Sequence, residues 1–550
     1  MRGSAYMPYT AHIDRFAADN LPPRELQAQY LFELPELQFP ERLNCAHELL
    51  DKHVLEGRGE RPCVHAPGLS WSYADLLEQA NRIANVLTNQ LGLVPGNRVL
   101  LFGPNNPMMV ASWFGVVKAG GIAVAAMPLL RAKEISAIVD IAQVSHALCD
   151  EALRVEMSAA QERCASLKSV RYFNTRRDGG AQDKSDSLEA AMQSEPSTFD
   201  NIPTAAVDTC MFGFTSGTTG VPKATMHFHR DVMAVCACFP QHVLRAQPDD
   251  VFMGSPPIAF TFGLGGLVLF PMSIGASLAL IEKVGPQQLI DGIEQFGASV
   301  VFTAPTSYRA MSQQGERLRK TRLRKCVSAG EALPASTRAL WKEATGIEII
   351  DGIGSTEMLH IFVSHREEEA RPGATGKAVP GYHAKVVDDD GLEVPAGTVG
   401  KLVVQGPTGC RYLNDSRQTK YVHNDWNYTG DAYVMDADGY FVYQARTDDM
   451  IISAGYNIAA PEVEDALMAH EAVAECAVIG VADAERGQIV KAFVVLHDGH
   501  AGDAAMTLRL QEFVKHTVAP YKYPRAVQFV TSLPRTATGK LQRFKLQASS

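Results

Sequence analysis

The sequence predicts an α/β protein. A large N-terminal domain of layered, mostly parallel sheets with helices carries a small β-rich subdomain, and a small C-terminal α+β lid domain follows. Three observations predict it. Short apolar runs alternate with amphipathic stretches over residues 72–149 and again over 300–350, and such alternation implies parallel strands covered by returning helices. From about residue 381, short strands are separated by Asp-, Pro- and Gly-rich turns. After Arg446 the pattern becomes that of a compact βαββαβ unit. The domains expected are therefore 1–445, with the β-rich subdomain at about 381–445, and 446–550.

Each element has a local reason. Ser72 and Asp75 make a capping-box start, and Leu76, Leu77, Ala80, Ile83, Ala84 and Leu87 keep a helical period, so a helix covers about 72–91. The apolar run 98–102 lies between Pro95-Gly96 and Gly103-Pro104 and reads as a buried strand. Residues 106–119 read as a helix stopped by Gly120-Gly121. A strand at 122–126, a helix at 133–142 and a strand at 146–149 follow. The polar stretch 175–203 reads as a surface connection. Strands recur at 300–303, 326–328 and 348–350, with a helix at 334–344. The charge run 366–371 reads as a solvated helix face. The β-rich part holds strands at 386–387, 401–404 and 440–443. The C-terminal unit reads as helix 461–470, strands 473–481 and 490–496, helix 508–518 and strand 526–530.

Composition narrows the function. A chain of 550 residues is long enough for several folding units and needs no disulfide or metal to fold. A net charge of −10 argues against a nucleic-acid-coating protein, so no nucleic-acid partner is expected. The ten cysteines contain no C-x-x-C pair, which supports neither zinc nor a disulfide framework and fits a reducing, cytoplasmic setting. Residues 251–281 carry no charge, but Pro256, Pro257, Gly263, Gly265, Gly266, Pro271 and Gly275 punctuate them. A buried helix and strand are expected there, not a membrane span. Monomer and homodimer both stay open.

The strongest chemical signal is the stretch from Phe214 to Lys223, with Thr215, Ser216, Gly217, Thr218, Thr219 and Gly220 inside it. Glycines let the backbone approach a ligand, hydroxyls donate, and a lysine supplies positive charge, which is what a polyphosphate needs. It is not a Walker A loop, because no Gly-Lys-Ser/Thr occurs.

This loop resembles the phosphate loop of the acyl-adenylate-forming (AMP-binding) superfamily, which includes acyl-CoA synthetases, adenylation domains and luciferases. Five further motifs resemble that family in order: Ala329 to Pro334, Asp351 to Glu357, Tyr428 to Asp431, Arg446 to Ile452 followed by Gly455, and Pro534 to Lys540. The resemblance implies ATP, Mg²⁺ and coenzyme A as cofactors. It implies adenylation of a carboxylate, then transfer to a thiol, with rotation of the small domain between the two steps. It implies Lys540, Glu357, Thr356 and Lys223 as catalytic residues, with Glu357 as the Mg²⁺ ligand. Gly330, Glu331, Ala332, Asp351, Gly352 and Ile353 would hold the adenine, and Asp431 and Arg446 the ribose. Asp448 would be the hinge, and Gly455 with Tyr456 would line the coenzyme A tunnel.

The acid pocket is read from departures. Asp351-Gly-Ile-Gly-Ser-Thr-Glu357 lacks the bulky aromatic of the family's Tyr-Gly-x-Thr-Glu, and its glycines, Gly354 included, suggest a flat slot for an aryl ring. Phe260, Thr261, Phe262 and Gly263 would form the other wall, with Gly263 giving room and His360 either helping to hold the substrate carboxylate or serving as a core histidine. The chain thus resembles aryl-CoA ligases, the 2-aminobenzoate type most and the benzoate type next. A small aromatic acid is the expected substrate. A stand-alone adenylating enzyme that loads a carrier protein is the alternative.

Overall fold

The computed structural model describes residues 9–175, 185–216, 222–446, 450–453, 456–483, 486–518, 520–535 and 541–548. Two compact units divide the chain: Met1–Ala384 with Val404–Asn427, and Lys385–Val403 with Tyr428–Ser550.

The first unit is built on two sheets. One has the strand order Ser169–Phe173, His146–Asp150, Arg98–Phe102, Ile122–Ala126, Thr209–Ser216, Pro222–Phe228. Its first five strands are parallel and the last is antiparallel. Arg98–Phe102 is buried at every position, as a central parallel strand covered on both faces must be. The other sheet has nine strands, with Ile349–Gly354, Lys325–Ser328, Val300–Thr303, Val251–Gly254 and Ser277–Ala279 in its parallel centre. Its antiparallel neighbours include Ile361–Ser364 and Lys377–Ala378 at one edge and Leu69–Ser72 at the other. The helix Pro107–Lys118 is buried on all sides and touches strands of both sheets. Asn106 caps it by accepting from the Met109 amide, and Pro107 sits where its missing N–H costs nothing. The predicted capping box at Ser72 and Asp75 opens the helix Tyr73–Asn85.

Two local expectations are corrected, and a third is met with one strand added. The connection at 175–203 holds a helix, Leu188–Gln193, capped by the Ser187 side chain and anchored by buried Leu188 and Met192. Two apolar residues four apart are too short a signal to read. The run at 366–371 is solvated but is one 3₁₀ turn, Glu367–Glu369, and not a helix face: Glu368 and Glu369 are exposed, Glu367 pairs with the buried Lys325 and Glu368 with Arg245. The uncharged run at 251–281 is a strand, a helical stretch from Thr261 to Ser273 and a second strand. None of the helices described is long and apolar enough to cross a membrane.

In the second unit, a sheet contains the strand ending at Val387, the strand starting at Val399, and the pair formed by Trp426–Met435 and Phe441–Arg446. A second sheet pairs Val473–Asp483 antiparallel with Gly487–Leu496, and Ala526–Phe529 parallel to the latter. Helices Ala460–Met468 and Ala504–Thr517 cover it around Ile451, Ile458, Val463, Leu467, Val478, Val494 and Leu510. The line drawn at 445/446 from sequence marks a change of pattern and not of compactness. Arg446 is the last residue of a strand whose partner includes Asp431.

Candidate active site

In the first unit, the strand Pro222–Phe228 leaves the phosphate-loop region and pairs with Thr209–Ser216, with Lys223 opposite Thr215. On its other side runs the segment at 411–413. The Met226 amide donates to the Arg411 carbonyl at 2.8 Å and the Leu413 amide to Ala224 at 2.9 Å. That pairing sets Tyr412 opposite Thr225 and lays its ring against Lys223, whose Nζ is 4.3 Å from the ring centre.

Three groups then converge. The Tyr412 hydroxyl donates to Glu357 Oε1 at 2.5 Å. Lys223 Nζ donates to the same hydroxyl and lies 2.9 Å from Glu357 Oε1. Burial alone would raise the Glu357 carboxyl, but Lys223 and the Tyr412 hydroxyl outweigh it and hold it below the ordinary carboxylate range. Burial and the adjacent carboxylate push the Tyr412 phenol far up, so it stays a donor. The result is a buried, ionised carboxylate beside a lysine, at the end of the predicted phosphate loop.

Thr356 is held next to this cluster. His227 donates from Nε2 to the Thr356 carbonyl at 2.8 Å, and burial pushes its pKa down to about 4, which keeps the ring neutral. A Cβ on Gly213 would lie 2.6 Å from Thr356 Cγ2 and 3.7 Å from Thr261 Cγ2. The bare backbone of Gly213 therefore lets Thr356 approach the strand, with Thr261 at ordinary contact distance. The Thr215 hydroxyl is buried there without a partner.

The expected adenine residues sit at the carboxyl ends of parallel strands, where open α/β sheets bind ligands. Gly330 turns with φ +89° just after Lys325–Ser328, and open space surrounds its Cα. Glu331 is half-buried and Ala332 exposed. Asp351 is buried on Ile349–Gly354, its Oδ1 has no partner, and burial pushes its pKa up to about 7. Gly352 and Ile353 follow it on the same strand.

The acid wall differs from expectation in two ways. A Cβ on Gly263 would strike the Pro257 carbonyl oxygen at 2.1 Å, so this glycine serves close backbone packing and does not open room. Likewise Gly352 faces Ile361, and Gly354 faces the His360 carbonyl at 2.7 Å, so their missing side chains admit the neighbouring strand. His360 is fully enclosed by Phe239, Phe262, Phe270 and Phe302. Neither of its ring nitrogens has a hydrogen-bond partner, and burial pushes its pKa down to about 3. It offers a neutral ring and no charge for a carboxylate. Phe260 and Phe262 are half-buried and Thr261 is buried.

In the second unit, Asp431 and Arg446 pair at 2.9 Å, and Arg446 also donates to the Thr429 carbonyl at 3.1 Å. Gly430 turns there with φ +78°, and a Cβ on it would lie 2.7 Å from Arg446 Nη2. Gly217, Thr218, Thr219, Gly220, Asp448, Gly455 and Lys540 lie outside the described residues, as do the side chains of Ser216 and Tyr456.

Several site residues had no signal in the sequence. Tyr412 stands 189 positions from Lys223 and in no charged or glycine-rich motif. Behind it, Arg411 and Asp231 form an ion pair at 2.6 Å in which both side chains are fully buried. Away from the cluster, donor atoms of Cys45, Cys210 and His229 lie within 4.8 Å of one another. They are engaged already: the Cys45 amide donates to His229 Nδ1 at 3.1 Å and the Cys210 thiol to the His227 carbonyl.

Comparison with known proteins matches residues 51–412 to the AMP-binding enzyme family and 462–540 to the AMP-binding enzyme C-terminal domain. The chain is 35% identical over 525 residues to benzoate–CoA ligase of Thauera aromatica, covering 94% of this chain and 98% of that one. It is 33% identical over 520 residues to 4-hydroxybenzoate–CoA/benzoate–CoA ligase of Rhodopseudomonas palustris, covering 92% and 94%. Among solved structures, an anthranilate CoA ligase in complex with anthranoyl-AMP superposes with a TM-score of 0.86 at 33% identity, covering 94% of this chain and 99% of that one.

Proposed function

Because the chain belongs to the AMP-binding enzyme family, we propose that it activates an aromatic carboxylic acid, 2-aminobenzoate by preference, to acyl-AMP and then to the coenzyme A thioester. It is an acid–thiol ligase and uses ATP, Mg²⁺ and coenzyme A. The observation that carries the reading is the buried Glu357–Tyr412–Lys223 cluster beside the phosphate loop.

Adenylation joins two anions: the substrate carboxylate attacks the α-phosphate of ATP, and pyrophosphate leaves. The protein must therefore supply positive charge and exclude water. Glu357, an ionised hard-oxygen group, suits Mg²⁺, which takes one or two carboxylates and fills its other positions with phosphate oxygens and water. Bound there, the ion would offset phosphate charge. Lys223, Thr215 and the loop at 216–220 hold the phosphates, and Thr356 lies next to Glu357. The unpartnered Asp351 Oδ1 suits the adenine amino group as a donor. Asp431 accepts from the ribose hydroxyls, with Arg446 beside it. Lys540 brings charge to the reacting phosphate. Asp448 serves as the hinge, and Gly455 and Tyr456 line the path of the thiol. The free cysteines fit a cytoplasmic enzyme.

The choice of acid rests on Thr261. Benzoate is the acid in the names of two relatives, and a benzoate ring asks nothing of a hydroxyl. Thr261 is a buried polar group in an otherwise apolar wall, and a polar handle in such a slot discriminates strongly between acids with and without a hydrogen-bonding substituent. In Thr261→Val, the kcat/KM preference for 2-aminobenzoate over benzoate is expected to fall by about tenfold or more. An unchanged ratio would remove Thr261 as the source of the preference.

A further inference from the structure

We propose that Tyr412 is the residue that positions the Glu357 carboxylate for the metal–nucleotide, taking over from Lys223 when the lysine turns to the phosphates. The inference rests on the adenylation reading and adds a residue that no motif contains.

The geometry argues for it. Lys223 and Tyr412 both bond Glu357 at Oε1, and among the described residues no other side chain bonds Oε2. Both side-chain donors thus meet on one oxygen of the carboxylate. The lysine has two claims on it, since it is also the only cation of the phosphate-loop stretch 214–223. When its ammonium serves a phosphate, Glu357 loses that donor. A buried carboxylate without donors is costly and free to rotate. The Tyr412 hydroxyl prevents both. It is buried and donates to Oε1 at 2.5 Å. Its position does not depend on Lys223, because backbone pairing of the 411–413 segment with Pro222–Phe228 sets it. Phenol and lysine thus share one oxygen, and only the phenol has no other task.

Tyr412→Phe deletes the hydroxyl and keeps the ring against Lys223 and Tyr421, whose ring centre is 5.8 Å away. ATP binding is measured by isothermal titration calorimetry in Mg²⁺ and in EDTA, for wild type, Tyr412→Phe, Glu357→Gln and the double variant. Tyr412→Phe is expected to weaken binding about tenfold in Mg²⁺, the size of one charge-assisted hydrogen bond, and less than twofold in EDTA. In the Glu357→Gln background it is expected to add nothing, because a positioning residue acts only through the group it positions. Equal losses with and without metal, or an additive double variant, would overturn the proposal by showing a purely structural role. Unaltered Mg²⁺-dependent binding would overturn it as well. Should Tyr412→Phe not fold, Tyr412→His, which keeps a donor, replaces it: recovery of metal-dependent binding supports the proposal and no recovery opposes it. If wild type itself binds ATP without regard to Mg²⁺, the role of Tyr412 is overturned, whereas the adenylation reading fails only if no AMP is released with any acid.

Discussion

Lys540→Ala is expected to lower acyl-AMP formation about 10²- to 10³-fold and to leave the second half-reaction nearly intact. The transition state of adenylation spreads negative charge over the α-phosphate while the attacking carboxylate adds its own. A placed donor or cation at such a centre is worth about 2.7–4 kcal/mol of barrier. Lys223 and Arg446 have other tasks: Lys223 ends the phosphate-loop stretch and serves its phosphates, and Arg446 is paired with Asp431. Thioester formation breaks acyl-AMP at its carbonyl carbon: the thiol sulfur bonds to the acyl carbon and AMP leaves carrying the extra charge, with no attack at phosphorus, so a lysine placed only for the first step is dispensable for the second. ATP–pyrophosphate exchange measures the first step, and coenzyme A acylation from supplied acyl-AMP measures the second. Equal losses in both would assign Lys540 to general integrity of the C-terminal unit. No loss in exchange would remove it from the mechanism.

Asp231→Ala is expected to destabilise the protein by about 3–5 kcal/mol, the cost of leaving one partner of a buried ion pair unpaired. Arg411 and Asp231 are both fully buried. The guanidinium lies 3.9 Å from the centre of the Phe228 ring and 4.3 Å from that of Tyr30. The Asp231 carboxylate also accepts from the Phe228 amide at 2.9 Å, at the start of the helix His229–Phe239, so its loss removes a cap as well. Urea unfolding of the variant reads the effect. Arg411→Met combined with Asp231→Leu removes both charges and fills both volumes, and it is expected to recover most of the loss. A single variant as stable as wild type would show that the pair contributes nothing. Since Arg411 precedes Tyr412, a partly unfolded Asp231→Ala protein should also bind MgATP less tightly.

The parts of the fold legible in the sequence were those with strong local punctuation. Arg98–Phe102 was readable to the residue because Pro-Gly and Gly-Pro bracket an apolar run. The helix after Asn106 was readable because capping residue, proline and terminal glycines agree. Leu188–Gln193 was hidden, since a single buried turn carries no period. The site divides in the same way. Lys223, Glu357, Asp351 and Asp431 stood in motifs, and the structure brings Lys223 to Glu357. Tyr412, Gly213 and His227 were invisible because their value lies in contacts across strands: a phenol aimed at a carboxylate, a missing Cβ beside Thr356, an imidazole on its carbonyl. Gly263 shows the opposite error. A glycine near a pocket suggests room, yet the space beyond its Cα belongs to Pro257.

The most direct test of the chemistry is one assay of the purified protein with ATP, Mg²⁺ and coenzyme A, offering 2-aminobenzoate, benzoate, 4-hydroxybenzoate and a medium-chain fatty acid separately. AMP release and the mass of the thioester are followed together. AMP release matched by an aryl-CoA thioester, fastest with 2-aminobenzoate and negligible with the fatty acid, is the expected result. Fatty acyl-CoA as the main product, or AMP release with no thioester from any aromatic acid, would contradict an aryl-CoA ligase.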